Sequence, residues 1–250
     1  MEKTEKKGNR YGLLGRNIAY SFSKGYFTEK FQDLGLDGHT YENFDIPTIS
    51  DVEGVLGQKR LKGLNVTIPY KEEIIPYLDE LDPIAEKIGA VNTIKFTSRG
   101  LKGYNTDAYG FEQALMPFLR PHHKKALVLG TGGASKAICF VLEQLGLAHM
   151  YVSRSKKKNQ LHYDELDKKV MQTHLLIINC TPLGTYPNVS DKPPIPYQYI
   201  GEDHLLFDLI YNPAKTTFLT LGEQNGAAIC NGESMLISQA EKAWEIWNTL

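Results

Sequence analysis

Short apolar runs alternate with longer amphipathic stretches from one end of the chain to the other. That alternation is the pattern of an α/β fold, in which buried parallel strands are joined by crossover helices. In the first half, YGLLG (11–15), TYENFDI (40–46), LKGLNVTI (61–68) and VNTIKFT (91–97) read as strands. Residues 24–36 place Phe27, Phe31 and Leu34 at helical spacing, and TDAYGFEQALMPFL (106–119) suits a helix capped by Thr106 or Asp107. In the second half, ALVLG (126–130), MYVS (150–153), LLIIN (175–179) and LLFDLIY (205–211) read as strands, with a helix from about Ala134 to Leu145 after the first of them.

Three segments stand apart from this rhythm. RPHHKK (120–125) is polar, contains a proline and separates two self-contained α/β patterns, so composition makes it the best linker candidate. TPLGTYPNVSDKPPIPYQYI (181–200) is rich in Pro, Gly and Tyr and reads as a loop. Loops of that length inside a compact domain are unusual unless they are functional. The final stretch, SMLISQAEKAWEIWNTL, puts Leu236, Ala240, Ala243, Trp244, Trp247 and Leu250 on one helical face, a stripe that must pack on something.

Composition narrows the classes. The chain has 250 residues, 42% hydrophobic and 23% charged, an ordinary globular balance long enough for one large domain or two. A net charge of −1 gives no general attraction to nucleic acid or an anionic membrane. Cys139, Cys180 and Cys230 fit no metal or redox spacing, which suits reduced thiols in a cytoplasmic protein without a metal centre. The opening MEKTEKKGNRYGLLG lacks the apolar run of a signal peptide, and no segment approaches the ~18 apolar residues of a membrane span.

The strongest chemical signal is ALVLGTGGASKAICFVLEQLG (126–146), where an apolar strand runs through Gly130, Gly132 and Gly133 into a helix. Glycines let the backbone approach a pyrophosphate, and free N–H groups at the helix start hold its charge. The spacing is not a strict G-x-G-x-x-G, and a tight turn without ligand is the alternative. The next strand ends in Ser153, Arg154 and Ser155, where NAD-binding folds usually carry an acid for the ribose 2′-hydroxyl. An acid would repel a 2′-phosphate, whereas a guanidinium can clamp one, so NADP is the cofactor this strand end favours. A solvated turn of Arg154 and Lys156–Lys158 is the alternative.

In the first half, Ser21 and Ser23 would face the same way along an extended segment and could grip a carboxylate, although such serines are more often turn formers. NVTIPYK (65–71) delivers Lys71 just after a strand, and Asp107 opens the helix that follows GYNT. Reducing a ketone needs a proton donor beside the carbonyl, and a lysine can serve when an anion positions it. Composition alone favours a solvated Lys71 opening the stretch YKEEIIPYL. Asn65, Asn92 and Asn105 lie at predicted strand ends, where ligands gather in α/β folds.

Taken in order, YSFS, GLNVTIPYK, GAVNT, GYNTDAYG, GTGGAS, SRS, INCTPLG, FDLIYNPAKTTFL and NGESMLISQA resemble the successive motifs of the shikimate dehydrogenase family. The resemblance runs along nearly the whole chain. It implies a substrate-binding domain over 1–106 with the C-terminal helix 233–250 packing back on it, and a Rossmann-like NADP-binding domain over 107–232. It implies NADPH-dependent reduction of 3-dehydroshikimate to shikimate, a step of aromatic amino-acid biosynthesis, by a cytoplasmic monomer or homodimer.

By position, the resemblance makes Lys71 and Asp107 the proton-transferring pair. Ser21 and Ser23 would hold the substrate carboxylate, and Asn65, Thr67, Asn92, Tyr211 and Gln239 its hydroxyls and ring. Gly130, Gly132, Gly133 and Ala134 would cradle the pyrophosphate, Ser153, Arg154 and Ser155 the 2′-phosphate, and Thr181 and Gly232 the nicotinamide end. The chain departs from the family at Tyr20 (usually His), Lys24 (usually Pro), Ser153-Arg154-Ser155 (usually Asn-Arg-Thr) and Ser234 (usually Gly), where a side chain adds bulk near the nicotinamide. Competing readings are a quinate/shikimate dehydrogenase preferring NAD, an NADP-binding regulator without catalysis, and a methylenetetrahydrofolate dehydrogenase. Arg154, the presence of both Lys71 and Asp107, and the first-half serines with NVTIPYK argue against these in turn.

Overall fold

The computed structural model describes residues 8–19, 21–155 and 158–249. Tyr20, Lys156, Lys157 and Leu250, singled out above, lie outside them, as does the start of the N-terminal segment. The chain divides into two compact units. One runs through Thr106 and takes in the chain again from Ala240; the other is Asp107–Gln239.

The first unit contains β1 (Arg10–Gly15), α1 (Phe22–Asp33), β2 (Thr40–Asp45), α2 (Val52–Leu56), β3 (Leu61–Val66), β4 (Glu80–Leu81), α3 (Pro83–Ile88), β5 (Thr93–Thr97) and β6 (Gly100–Tyr104). Its sheet order is β2-β1-β3-β5-β6-β4. β1 pairs in parallel with β2 and β3, whereas β5 is antiparallel to both β3 and β6. The antiparallel pair departs from the purely parallel expectation, because a turn at 98–99 is too short for any crossover. The strand pleat divides β1 between two cores. Leu14 packs with Leu64, Val66, Tyr70 and Ile74, while Tyr11 and Leu13 pack with Phe27, Phe31 and Tyr41 on the other face.

The strand expected over 61–68 stops at Val66, and Ile68 is 74% exposed. The stretch YKEEIIPYL forms turns and a 3₁₀ segment at Ile75–Tyr77, with no α-helix. Pro76 accounts for this: it lacks the helical N–H and disfavours α geometry at the residue before it.

The second unit contains α4 (Asp107–Leu115), β7 (Lys125–Leu129), α5 (Gly133–Gln144), β8 (Ala148–Ser153), β9 (Gln160–His162), α6 (Lys168–Thr173), β10 (Leu176–Asn179), β11 (Leu205–Asp208), α7 (Thr217–Gln224), β12 (Ala228–Cys230) and the start of α8 (Glu233–Asn248). Its six strands are all parallel in the order β12-β11-β10-β7-β8-β9. This is the doubly wound order of a dinucleotide fold, whose topological switch lies between β7 and β10. Leu127, Leu129, Ile177, Leu206 and Phe218 form its core, and Phe111 of α4 stacks edge-on against Phe207 at 5.1 Å.

RPHHKK does not separate the units; the division falls at Thr106 and Asp107. His123 is buried, with Nδ1 accepting from the Arg120 N–H at 3.0 Å and Nε2 facing the Asp203 carbonyl at 3.1 Å. Those two bonds tie the polar segment into the second unit. The helix α8 begins in the second unit, whereas Ala240, Ala243 and Trp247 belong to the core of the first.

Candidate functional site

In the first unit, the extended pairing of Ser21 and Ser23 does not form. Ser21 caps α1, its Oγ accepting from the Lys24 N–H at 3.4 Å, and Ser23 lies buried in the first turn. A serine oxygen beside unpaired helix N–H groups finds its best partner there. Proline at 24 would lack that N–H, so Lys24 has a local role.

A buried chain of hydrogen bonds crosses the sheet behind these serines. Ser23 bonds the Tyr41 hydroxyl, which donates to Asn65 Oδ1 at 2.7 Å. Asn65 Nδ2 donates to Thr93 Oγ1 at 3.2 Å, and Thr93 Oγ1 donates to Asn92 Oδ1 at 3.1 Å. Asn92 Oδ1 also accepts the Thr106 N–H at 2.7 Å. With its acceptor taken by Tyr41, Asn65 has a fixed amide orientation. Asn105 donates instead to the Ala90 carbonyl at 3.0 Å. Burial raises the Tyr41 phenol well above its ordinary value, so it remains a neutral donor.

Lys71 is half-buried, and its carbonyl accepts from the Val91 N–H at 2.7 Å. Val91 neighbours Asn92, which holds Thr106, the residue before Asp107. The main chain of Lys71 and the chain leading into Asp107 are therefore fastened to one dipeptide. Thr67, between β3 and the turn, donates its N–H to Leu14 O at 2.9 Å. Thr93 and Thr106 lie within GAVNT and GYNTDAYG, where the resemblance gives them no site role, and Tyr41 carries no sequence signal of a site; by pattern it is one more β2 core position.

In the second unit, Gly130 follows β7 with φ +97°, a conformation that favours glycine. A Cβ added to Gly132, the N-cap of α5, would meet nothing within 4 Å, and no side chain caps that helix. Open space beside uncapped N–H groups of Gly133 and Ala134 fits a pyrophosphate. After β8, the Ser153 hydroxyl donates to the Ser155 carbonyl at 2.6 Å and accepts the Ser155 N–H at 3.3 Å. Ser153 thus shapes the turn that presents Arg154, which is exposed and has no ion pair among the described residues.

The carboxyl ends of β10, β11 and β12 share a second buried network. Asp208 Oδ1 accepts Asn179 Nδ2 at 3.0 Å and the Ile210 N–H at 3.1 Å, while Oδ2 accepts Thr216 Oγ1 at 2.6 Å. Asn179 Oδ1 in turn accepts the Thr181 hydroxyl at 2.6 Å and its N–H at 3.0 Å. Burial pushes the Asp208 carboxyl up to about 6 despite these donors. The Gly232 N–H donates to Ile210 O at 3.0 Å, and a Cβ on Gly232 would lie 2.1 Å from Leu209 O, so this glycine has a packing reason of its own. Tyr211 is partly exposed, Gln239 is buried with Nε2 bonded to Leu236 O at 2.9 Å, and Asp107 is buried at the start of α4. The Ser234 hydroxyl is engaged by the Cys230 thiol. Among the described residues no His/Cys/Asp/Glu group could hold a metal ion, and no helix is long and apolar enough to cross a membrane.

Residues 13–94 match the shikimate dehydrogenase substrate binding domain. The NADP(+) shikimate dehydrogenase of Clostridium beijerinckii is 39% identical over 247 residues, covering 95% of this chain and 91% of the relative. That of Methanosphaera stadtmanae is 38% identical over 255 residues, covering 94% and 90%. The crystal structure of the Thermus thermophilus shikimate dehydrogenase with NADP(H) and shikimate has TM-score 0.86 and 31% identity, covering 97% of this chain and 94% of that one. Similarity this extensive, over both the Asn65 side and the glycine-turn side, means that the chain belongs to the shikimate dehydrogenase family, NADP-dependent oxidoreductases acting on a CH–OH group.

Proposed function

We propose that this protein interconverts 3-dehydroshikimate and shikimate with NADP(H), the unit ending at Thr106 binding the substrate and Asp107–Gln239 the cofactor. The observation that carries the reading is the Asn92 junction. It ties the Lys71 main chain and the approach to Asp107 to the network that orients Asn65. Ser21 and Ser23 hold the substrate carboxylate, while Asn65, Thr67, Asn92, Tyr211 and Gln239 take its hydroxyls and ring. Gly130, Gly132, Gly133 and Ala134 receive the pyrophosphate, Ser153, Arg154 and Ser155 the 2′-phosphate, and Thr181 and Gly232 the nicotinamide end. The dinucleotide, when bound, supplies the hydride. Lys71 gives a proton to the oxygen that becomes the alcohol, and Asp107 orients the ammonium. The protein acts in the cytoplasm as a monomer or homodimer.

Reduction of NADP+ followed at 340 nm with shikimate, then quinate, and repeated with NAD+, tests the reading; no turnover of shikimate with either cofactor defeats it. Lys71→Ala should lower kcat by about 100-fold or more with shikimate binding largely kept, as loss of a general acid–base group does. An unchanged kcat removes Lys71 from the proton-transfer role.

A further inference from the structure

Three donors converge on Asp208 from different places: the Asn179 side chain at the end of β10, the Ile210 backbone after β11 and the Thr216 hydroxyl at the start of α7. A carboxylate takes all three as donors at once, with Asn179 and Ile210 on Oδ1 and Thr216 on Oδ2. Because Asn179 spends its Nδ2 on Asp208, its Oδ1 must face Thr181, where it takes both the hydroxyl and the N–H. Ile210, held through its N–H, precedes Tyr211, and its carbonyl accepts from Gly232. One carboxylate therefore fixes the segments that carry Thr181, Tyr211 and Gly232, all at carboxyl ends of strands, where a doubly wound sheet binds its ligand.

We propose that Asp208 is a positioning residue for hydride transfer, holding these three segments in register through Asn179, Ile210 and Thr216. This rests on the assignment of Thr181 to the nicotinamide end. The nearby titratable groups are Cys180 and Tyr197, both raised by burial and both neutral near pH 6, so neither supplies a countercharge. Burial pushes the carboxyl up to about 6, and a proton on Oδ2 would force the Thr216 hydroxyl to turn from donor to acceptor while it already accepts the Leu219 N–H.

Asp208→Asn tests this, since it keeps the shape but replaces one acceptor oxygen by an N–H₂ that must face either the Thr216 hydroxyl, reversing its bond, or the N–H donors of Asn179 and Ile210. The expected result is a kcat lowered about 10- to 100-fold, the size of effect that a misplaced reacting group produces. The acid limb near pH 6 in kcat/KM should also disappear, which a purely structural role would not cause. Thr216→Val should lower kcat in the same direction and Thr216→Ser should return most of it; this pair is read if Asp208→Asn does not fold. Wild-type kcat, KM and acid limb in Asp208→Asn, or in Thr216→Val where only that variant folds, overturn the proposal. Thr181→Ala separates the underlying assignment: if it leaves the dissociation constant for NADPH and kcat unchanged while Asp208→Asn lowers kcat, Thr181 is not the residue being positioned, and the proposal falls with that route.

Discussion

Removing the Tyr41 hydroxyl would leave Asn65 Oδ1 buried without the donor that holds it at 2.7 Å, and would release Ser23 from the same oxygen. An unsatisfied buried acceptor costs about 1–3 kcal/mol, so Tyr41→Phe should lose about that much stability in a denaturant titration. It should also raise KM for shikimate and leave KM for NADP+ unmoved; a rise shared by both would mean that the hydroxyl serves the fold only. Arg154 tests the opposite end. Hydrogen bonds to charged groups contribute about 1.5–3 kcal/mol, so Arg154→Ala should raise KM for NADP+ about 10- to 100-fold and that for NAD+ little. Equal effects would reassign the residue to structure. Asp208 shows why such sites cannot be explained by stability. With its carboxyl lifted from 3.8 to about 6, the folded state binds the proton more tightly than the unfolded chain does. The group's favourable contribution is therefore present below 3.8 and lost as pH rises through 6, a cost on the order of 3 kcal/mol at neutral pH. A buried carboxylate retained at that cost points to the geometry it enforces.

Among the elements, close approaches decide which residues are tolerated. A Cβ on Gly63 of β3 would lie 2.3 Å from the Trp247 indole nitrogen, whose N–H donates to Ile94 O at 3.0 Å. Overpacking of this kind costs about 1–3 kcal/mol, so Gly63→Ala should lower Tm by several degrees, and a wild-type melting curve would show that the indole can move aside. The elements readable from sequence are those with long apolar runs. β7 and β10 are fully buried over most of their length, and short continuous apolar runs such as ALVL and LIIN suit strands covered on both faces. β6, with the sequence GLKGY, and the three-residue β9 and β12 carry too few apolar positions to announce themselves. The same-face argument for Ser21 and Ser23 supposes an extended segment, whereas Ser21 caps a helix and Ser23 lies in its first turn, so motif order and not i, i+2 spacing is what singles them out. The lysine, the aspartate and the glycine turn can be read from motif order. Tyr41 lies in none of the motifs, and although Asn179 and Thr216 lie in two of them, what they do rests on partners 29 and 8 residues away, as that of Tyr41 rests on one 24 residues away.

At the scale of the whole molecule, a proline-bearing polar stretch has the composition of a joint, yet His123 anchors it inside the second unit. The division falls instead at Thr106 and Asp107, in a stretch with no linker composition, where the backbone is pinned by Asn92. A backbone held by a hydrogen bond from within its own unit leaves no compositional trace. The chain's path adds a constraint of another kind. Tyr11 and Phe27, near the beginning, share a core with Trp247, whose ring lies 5.0 Å and 5.3 Å from theirs. During synthesis on the ribosome, the first unit to emerge is thus the last to be completed. Its apolar face waits, uncovered, until the entire second unit has been translated and residue 247 has cleared the exit tunnel, an interval in which a chaperone has its clearest reason to bind.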